Sequence, residues 1–242
     1  MKKLKHLLPI TLLLASAAMM QSCSDNDDSH NIPLPNALVT VCPDEDGGFT
    51  MRLDDKTTLI PSNMSKSPFG NKEVRALVNY TTDNSFIGGI GVHVNRIDSI
   101  RTKLPVIDLG EGNDEAYGND PIEIVKDWVT VAEDGYLTMR VRTIWGSNAR
   151  PHFIHLLTGS NPDDPFELEL RHDAKGDTKG YFADALIAFN LNNLSESKEP
   201  VKIKLRWNSF NGEKTAEFDL ALRQIVIDDD EAAELKPASA LK

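Results

Sequence analysis

Cysteine is nearly absent from this chain: two occur in 242 residues, Cys23 and Cys42. At most one intrachain disulfide could form, so the fold is not a cystine-stapled scaffold. Cys42 ends the apolar run ALVTVC (37–42), where a packing role suits it better than a nucleophilic one. Helical patterning is missing too. No segment holds a 3.6-residue apolar period over more than three turns, and no repeat of 20–50 residues marks a solenoid. G-x-S-x-G, Walker and H-E-x-x-H sequences do not occur, which removes common signatures of serine hydrolysis, nucleotide binding and zinc peptidase chemistry. No basic stripe interleaves with aromatics, so nucleic acid is not an expected partner.

What is present begins at the first residues. Lys2, Lys3 and Lys5 precede a mostly apolar stretch from Leu7 to Met20. Fourteen residues are too few to span a bilayer, which needs roughly 20 in a helix. Residues 1–22 therefore read as a signal peptide. Ala15, Ser16, Ala17 and Ala18 lead towards Ser22-Cys23, which resembles the lipobox of bacterial lipoproteins, although Met20 and Gln21 depart from its common form. That resemblance implies a lipidated Cys23 as the mature N-terminus. Several acyl chains on one cysteine would hold a membrane firmly, at about 0.8 kcal/mol per buried methylene. The following Ser24, Asp25, Asn26, Asp27 and Asp28 resemble the acidic export signal of surface lipoproteins in Bacteroidetes. The expected location is the outer membrane, facing outward, with a periplasm-facing anchor as the alternative.

The net charge is −11, but its placement matters more than its size. Residues 37–110 carry eight basic and nine acidic residues, and residues 121–228 carry thirteen and seventeen. The surplus acid lies in connectors. The expected organisation is an acidic flexible tether at 23–36, a first unit at 37–119, a second at 120–228 and an acidic tail at 229–242.

Both units read as strands. In FTMRLDD (49–55), Phe49, Met51 and Leu53 share one face, and the turn-rich PDEDGG before it predicts a hairpin with ALVTVC. With TTLI (57–60), KEVRALVNY (72–80) and GIGVHVNRI (89–97), five strands make a small barrel. The second unit offers IEIVKDWVTV (122–131), YLTMRVRTIW (136–145), HFIHLL (152–157), FELEL (166–170), YFADALIAFNL (181–191), VKIKLRW (201–207) and TAEFDLAL (215–222). About seven strands with turns at this spacing predict an antiparallel β-sandwich. The fold class is all-β, an OB-like barrel followed by a sandwich.

LDDKTTLIPSN (53–63), RALVNYT (75–81), IDSIRTK (97–103), GNDPIEI (118–124) and LELRHDAKGD (168–177) together resemble NigD-like lipoproteins of Bacteroidetes. The resemblance runs from about residue 37 to 225. It implies the same barrel, sandwich and lipid anchor, and it transfers no functional residue.

Individual residues offer little catalysis. His152 and His155 are three apart, which on a strand sends them to opposite sides rather than to one metal. His172-Asp173 is expected in a turn. Ser195-Glu196-Ser197-Lys198 matches S-x-x-K only by letter, in a polar loop. The acidic stretch 111–120 offers Glu111, Asp114, Glu115 and Asp120 as weak calcium donors, with no EF-hand spacing; a solvated linker is the preferred reading. Ligand-contact candidates are His93, on an exposed barrel face, with Trp128, Trp145 and Tyr117 near loop ends. The expectation is a non-enzymatic surface lipoprotein without cofactor that binds a protein or glycan. The alternatives are an accessory of envelope assembly or of a bacteriocin system, and a glycan-active enzyme.

Overall fold

A computed structural model of the chain describes residues 33–146, 150–194 and 199–223. The expected signal peptide, Cys23, the stretch Ser24 to Asp28, residues 195–198 and the acidic tail lie outside the described residues. Strands β1 (Ala37–Pro43), β2 (Phe49–Arg52), β3 (Thr58–Pro61), β4 (Val74–Thr82) and β5 (Ile90–Ser99) close a barrel in the order β1-β2-β3-β5-β4. Period-two alternation fills it: Val39 and Val41, Phe49 and Met51, Ala76 and Val78, Val92 and Val94 all point inward.

The sandwich has two sheets. One is ordered β6 (Arg101–Lys103), β13 (Tyr181–Asn190), β10 (Tyr136–Trp145) and β8 (Glu123–Val125), with β9 (Val131–Glu133) also on β10. The other is β15 (Gly212–Leu220), β14 (Val201–Ser209), β12 (Glu167–Asp173), β11 (Phe153–Thr158) and β7 (Val106–Ile107). Most pairs are antiparallel; β6–β13, β7–β11 and β12–β14 are parallel. The last arises because the chain crosses to the opposite sheet as β13 before returning. Leu137, Met139 and Val141 face Leu168, Leu170, Ile203, Leu205 and Trp207 across one core.

Three expectations about boundaries and connections change. Residues 101–107 pair with β13 and β11, so sandwich sheets begin well before the expected boundary at 119. The predicted strand 122–131 is interrupted: Val125 pairs with Arg140 and Val131 with Thr138, leaving residues 126–130 looped out opposite Met139. The acidic 111–120 stretch is not a free linker. It forms a 3-10 turn (Gly110–Gly112) and α1 (Asn113–Tyr117), and Arg171 holds Asp114 at 2.5 Å while Asp120 accepts from the Ala174 amide at 2.8 Å. Gly118, at φ 73°, passes so close to β12 that a Cβ would sit 2.7 Å from the His172 carbonyl oxygen.

Barrel and sandwich meet on a charged seam flanked by the apolar contacts of Leu38 and Ile100 with Ala188. Asp134 and Gly135 form the β9–β10 turn with φ of 49° and 76°, as a tight hairpin of primed type requires. That turn buries the Asp134 carboxylate, which accepts from Arg52 at 2.8 Å and from Arg223 at 2.6 Å. Arg75, with no exposed surface, donates to Thr40 on β1 at 2.9 Å, to Thr138 on β10 at 3.3 Å and to Glu133 at 2.5 Å. Glu73 accepts from Arg223 at 2.7 Å and from the Tyr136 hydroxyl. Burial and the neighbouring Glu73 push the Tyr136 hydroxyl far above its ordinary pKa, so it stays a donor. Burial, with Glu73 next, raises the half-buried Cys42 thiol to about 12, which disqualifies it as a nucleophile.

A second polar contact fastens the 118–121 connection. His172 and Asp173 end β12 rather than forming the expected turn, because their backbones complete the ladder with Ile154 and Phe153. His172 is buried. The Pro121 carbonyl, 3.1 Å from Nδ1, can only accept, so Nδ1 carries the proton and Nε2 accepts from His152 Nδ1 at 2.9 Å. Trp145 stacks on His152 at 4.2 Å.

Two outcomes follow from these contacts. Arg75→Ala leaves Glu133 without its buried guanidinium and should lower unfolding stability by about 3–5 kcal/mol in urea titrations. Arg52→Ala should cost less, since Asp134 keeps Arg223; equal losses would contradict a burial-dominated seam. Burial holds the His172 pKa below its ordinary value. Its neutral form is therefore favoured in the fold, a contribution present above the ordinary histidine pKa of about 6.5 and lost as pH falls. The urea midpoint of the wild type should accordingly drop more between neutral and mildly acidic pH than that of His172→Asn.

Candidate functional site

The loop that interrupts the edge strand carries the most exposed tryptophan of the described residues. Asp127 starts the turn: its carboxylate accepts from the Trp128 amide at 2.6 Å and its carbonyl from the Thr130 amide at 3.0 Å. The Thr130 hydroxyl donates to the Val125 carbonyl at 2.7 Å and accepts from the Arg140 amide at 3.1 Å, which ties both ends of the loop. Val129 turns inward and is buried, leaving Trp128 outward with 55% of its surface exposed. A large indole left that exposed by a tightly hydrogen-bonded turn is not serving the core.

Beside Trp128 lies a groove of about 330 Å³, with Leu77 from the barrel on one side and Val129, Ala185 and Leu186 from the sandwich on the other. Its polar edge is a row of alternating charge. Arg140 and Arg142 point outward from β10, since Met139 and Val141 point inward. Asp184 on β13 stands directly opposite Arg142. Arg142 donates to Asp184 at 2.6 and 3.0 Å; Arg140 donates to Asp184 at 2.8 Å and to Asp127 at 2.6 Å. The sequence of charges is Arg142, Asp184, Arg140, Asp127. Hydrogen bonds from Arg140 hold the Asp127 carboxyl below the usual carboxylate range, and those from Arg142 do the same for Asp184. The groove thus presents an apolar aromatic face beside fixed hydrogen-bonding ions. That pairing suits a ligand with C–H faces and hydroxyl edges, or the rim of a protein.

The four predicted contact residues do not converge. Trp145 is half-buried on His152, the Tyr117 hydroxyl donates to the Ile107 carbonyl at 3.0 Å with its ring 5.0 Å from that of His155, and His93 is exposed on the barrel. His152 and His155 accordingly have different neighbours. Asp114 and Asp120 are engaged as described, Glu111 and Glu115 are exposed, and among the described residues no group of three or more His, Cys, Asp or Glu side chains could hold a metal. Asp127, Arg140 and Asp184 escaped sequence reading. The outward alternation of Arg140 and Arg142 was visible, but their carboxylate partners lie 13 and 44 residues from Arg140 and needed the β10–β13 register.

Residues 38–100 match the NigD-like N-terminal OB domain and residues 105–220 the NigD-like C-terminal beta sandwich domain. No curated protein matches the chain. Among solved structures, a candidate toxin-related protein from Parabacteroides distasonis is 30% identical, with a TM-score of 0.63 over 83% of this chain and 98% of its own. A NigD-like immunity protein from Bacteroides caccae is 22% identical, at a TM-score of 0.54 over 76% of this chain and 96% of its own. A candidate lipoprotein from Bacteroides fragilis is 15% identical, at 0.56 over 78% and 98%. Matched in both halves and across nearly the whole of a 30% identical relative, the chain belongs to the NigD-like family.

Proposed function

We propose that this protein is a lipid-anchored outer-membrane protein, displayed at the cell surface, that binds a glycan without transforming it. The half-exposed Trp128 beside a preset row of ions carries the reading. An indole face matches the C–H face of a sugar ring, while Asp127, Asp184 and the two arginines offer acceptors and donors to its hydroxyls. A glycosidase would need one carboxyl kept protonated near neutral pH as general acid. Both carboxylates of the groove are instead pulled the other way by arginine, which favours binding over hydrolysis. The lipobox-like Cys23 and the acidic residues after it support the location, and a B. fragilis structural relative is described as a candidate lipoprotein. A protein partner, as in an accessory of envelope assembly or of a bacteriocin system, is the competing reading.

The anchored full-length protein, in detergent micelles, should retain neutral polysaccharides on an affinity gel. Trp128→Ala should weaken that retention at least tenfold with no change in melting temperature. Retention unaffected by the substitution, or crosslinking in cells to one protein and to no glycan, would replace the glycan with a protein partner. On whole cells, protease should remove the wild-type protein. Cys23→Ala should release it from the membrane fraction, and replacing Asp25, Asp27 and Asp28 with alanine should make the anchored protein protease-resistant.

A further inference from the structure

The sandwich is open along one side. Its sheets end in β8 and β15, two edge strands that share no backbone ladder. Between them lies a cleft of about 540 Å³, within the range of small-ligand pockets. Its wall combines Ile124, Trp207, Ala216 and Phe218 with a polar rim in which Lys214 donates to Glu123 at 2.8 Å. Trp207 is only 6% exposed, and its indole N–H has no hydrogen-bond partner among the described residues. Buried donors are nearly always satisfied; this nitrogen exposes less than 1 Å², so an acceptor brought by a ligand reaches it once the indole shifts towards the cleft. Asp127 borders both this cleft and the Trp128 groove, so the two cavities are neighbours across one side chain.

We infer that the cleft is a second subsite, taking a neutral, hydroxyl-rich ring, with the Trp207 N–H donating to one of its oxygens. The inference rests on the glycan reading of the Trp128 groove and extends it: one oligosaccharide occupies both cavities by passing over Asp127. The chemistry of the wall chooses the ligand. Glu123, Asp127 and Glu217 against Lys126 and Lys214 leave it nearly balanced, which gives no advantage to an anion such as a phosphate or to a cationic peptide. A long alkyl chain would leave the rim ions and the indole N–H without partners. A sugar ring satisfies the N–H and the rim while laying its apolar face on Phe218 and Ala216.

Three tryptophans give three indole N–H resonances in a ¹H–¹⁵N spectrum, each assignable by a Trp→Phe variant that retains packing. Maltohexaose, cellohexaose and mannohexaose are titrated into the full-length protein. The expected result is that at least one of them shifts the Trp128 and Trp207 resonances together. Trp207→Phe should then weaken that hexasaccharide about tenfold and leave the corresponding disaccharide unaffected. A shift of Trp128 alone would overturn the second subsite and leave the groove standing. Movement of Trp207 alone would keep the cleft as a site and remove the groove from the reading. If neither resonance moves with any of the three, both proposals fall.

Discussion

Burial of the Arg75 guanidinium is the constraint on which the two halves depend. A charge with no solvent contact must be met by acceptors from every side, and here they come from β1, the β9 end and β10. Thr40 is the cross-strand neighbour of Arg75 within the barrel, but Thr138 and Glu133 lie in position only when barrel and sandwich are docked. The seam also holds Arg52 and Arg223 against Asp134 and Glu73, three guanidinium groups facing three carboxylates with Glu133 included. Such pairing contributes less to net stability than to uniqueness, because any slipped docking strands a buried charge. The hairpin turn at Asp134-Gly135 performs two tasks at once. Its left-handed backbone reverses the chain, and a Cβ on Gly135 would lie 1.8 Å from the Asn192 side chain. A bulkier residue there would lift Asp134 out of the seam.

A fixed seam matters because the Trp128 groove has walls from both halves. Leu77 is contributed by the barrel strand that also carries Arg75, and Leu186 by the sandwich strand that pairs with β10. With the seam locked, the groove would need little rearrangement to receive the proposed ligand, which lowers the ordering cost of binding. The ion row is preset in the same way. Every carboxylate in it is already oriented by an arginine, so the hydroxyl groups of the proposed glycan would meet fixed acceptors rather than mobile side chains.

Strand existence was legible in the sequence because the alternation in FTMR, VRALV and IKLRW matches a half-buried strand at period two. The overall all-β class and the barrel strands followed from it. The interruption of the 122–131 strand was not legible. Val125 and Val131 keep an apolar edge pattern on both sides, and only the register against β10 reveals five residues looped out. His172 was misread for a related reason: Asp and Gly nearby signal a turn, and they do form one at Ala174–Asp177, just beyond the end of the strand. Trp128 was legible as a candidate, while its neighbours were not. Sequence proximity favoured grouping it with Trp145 and Tyr117, yet both of those rings are committed to histidines elsewhere.

The charge pattern also bears on what kind of ligand the folded part can favour. The acidic surplus of the chain sits in segments 23–36, 111–120 and 229–242, whereas the groove and cleft are lined by nearly equal numbers of acids and bases. Long-range attraction would therefore act at the acidic segments and be screened by salt within about 8–10 Å. Contacts of the proposed ligand in the groove would depend instead on stacking, on short hydrogen bonds and on burying Trp128, none of which falls steeply with ionic strength. A partner held there would be retained in high salt, and one recruited by the acidic segments would be washed away. The half-exposed indole is thus the feature that would separate specific retention from general electrostatic adhesion to the acidic segments.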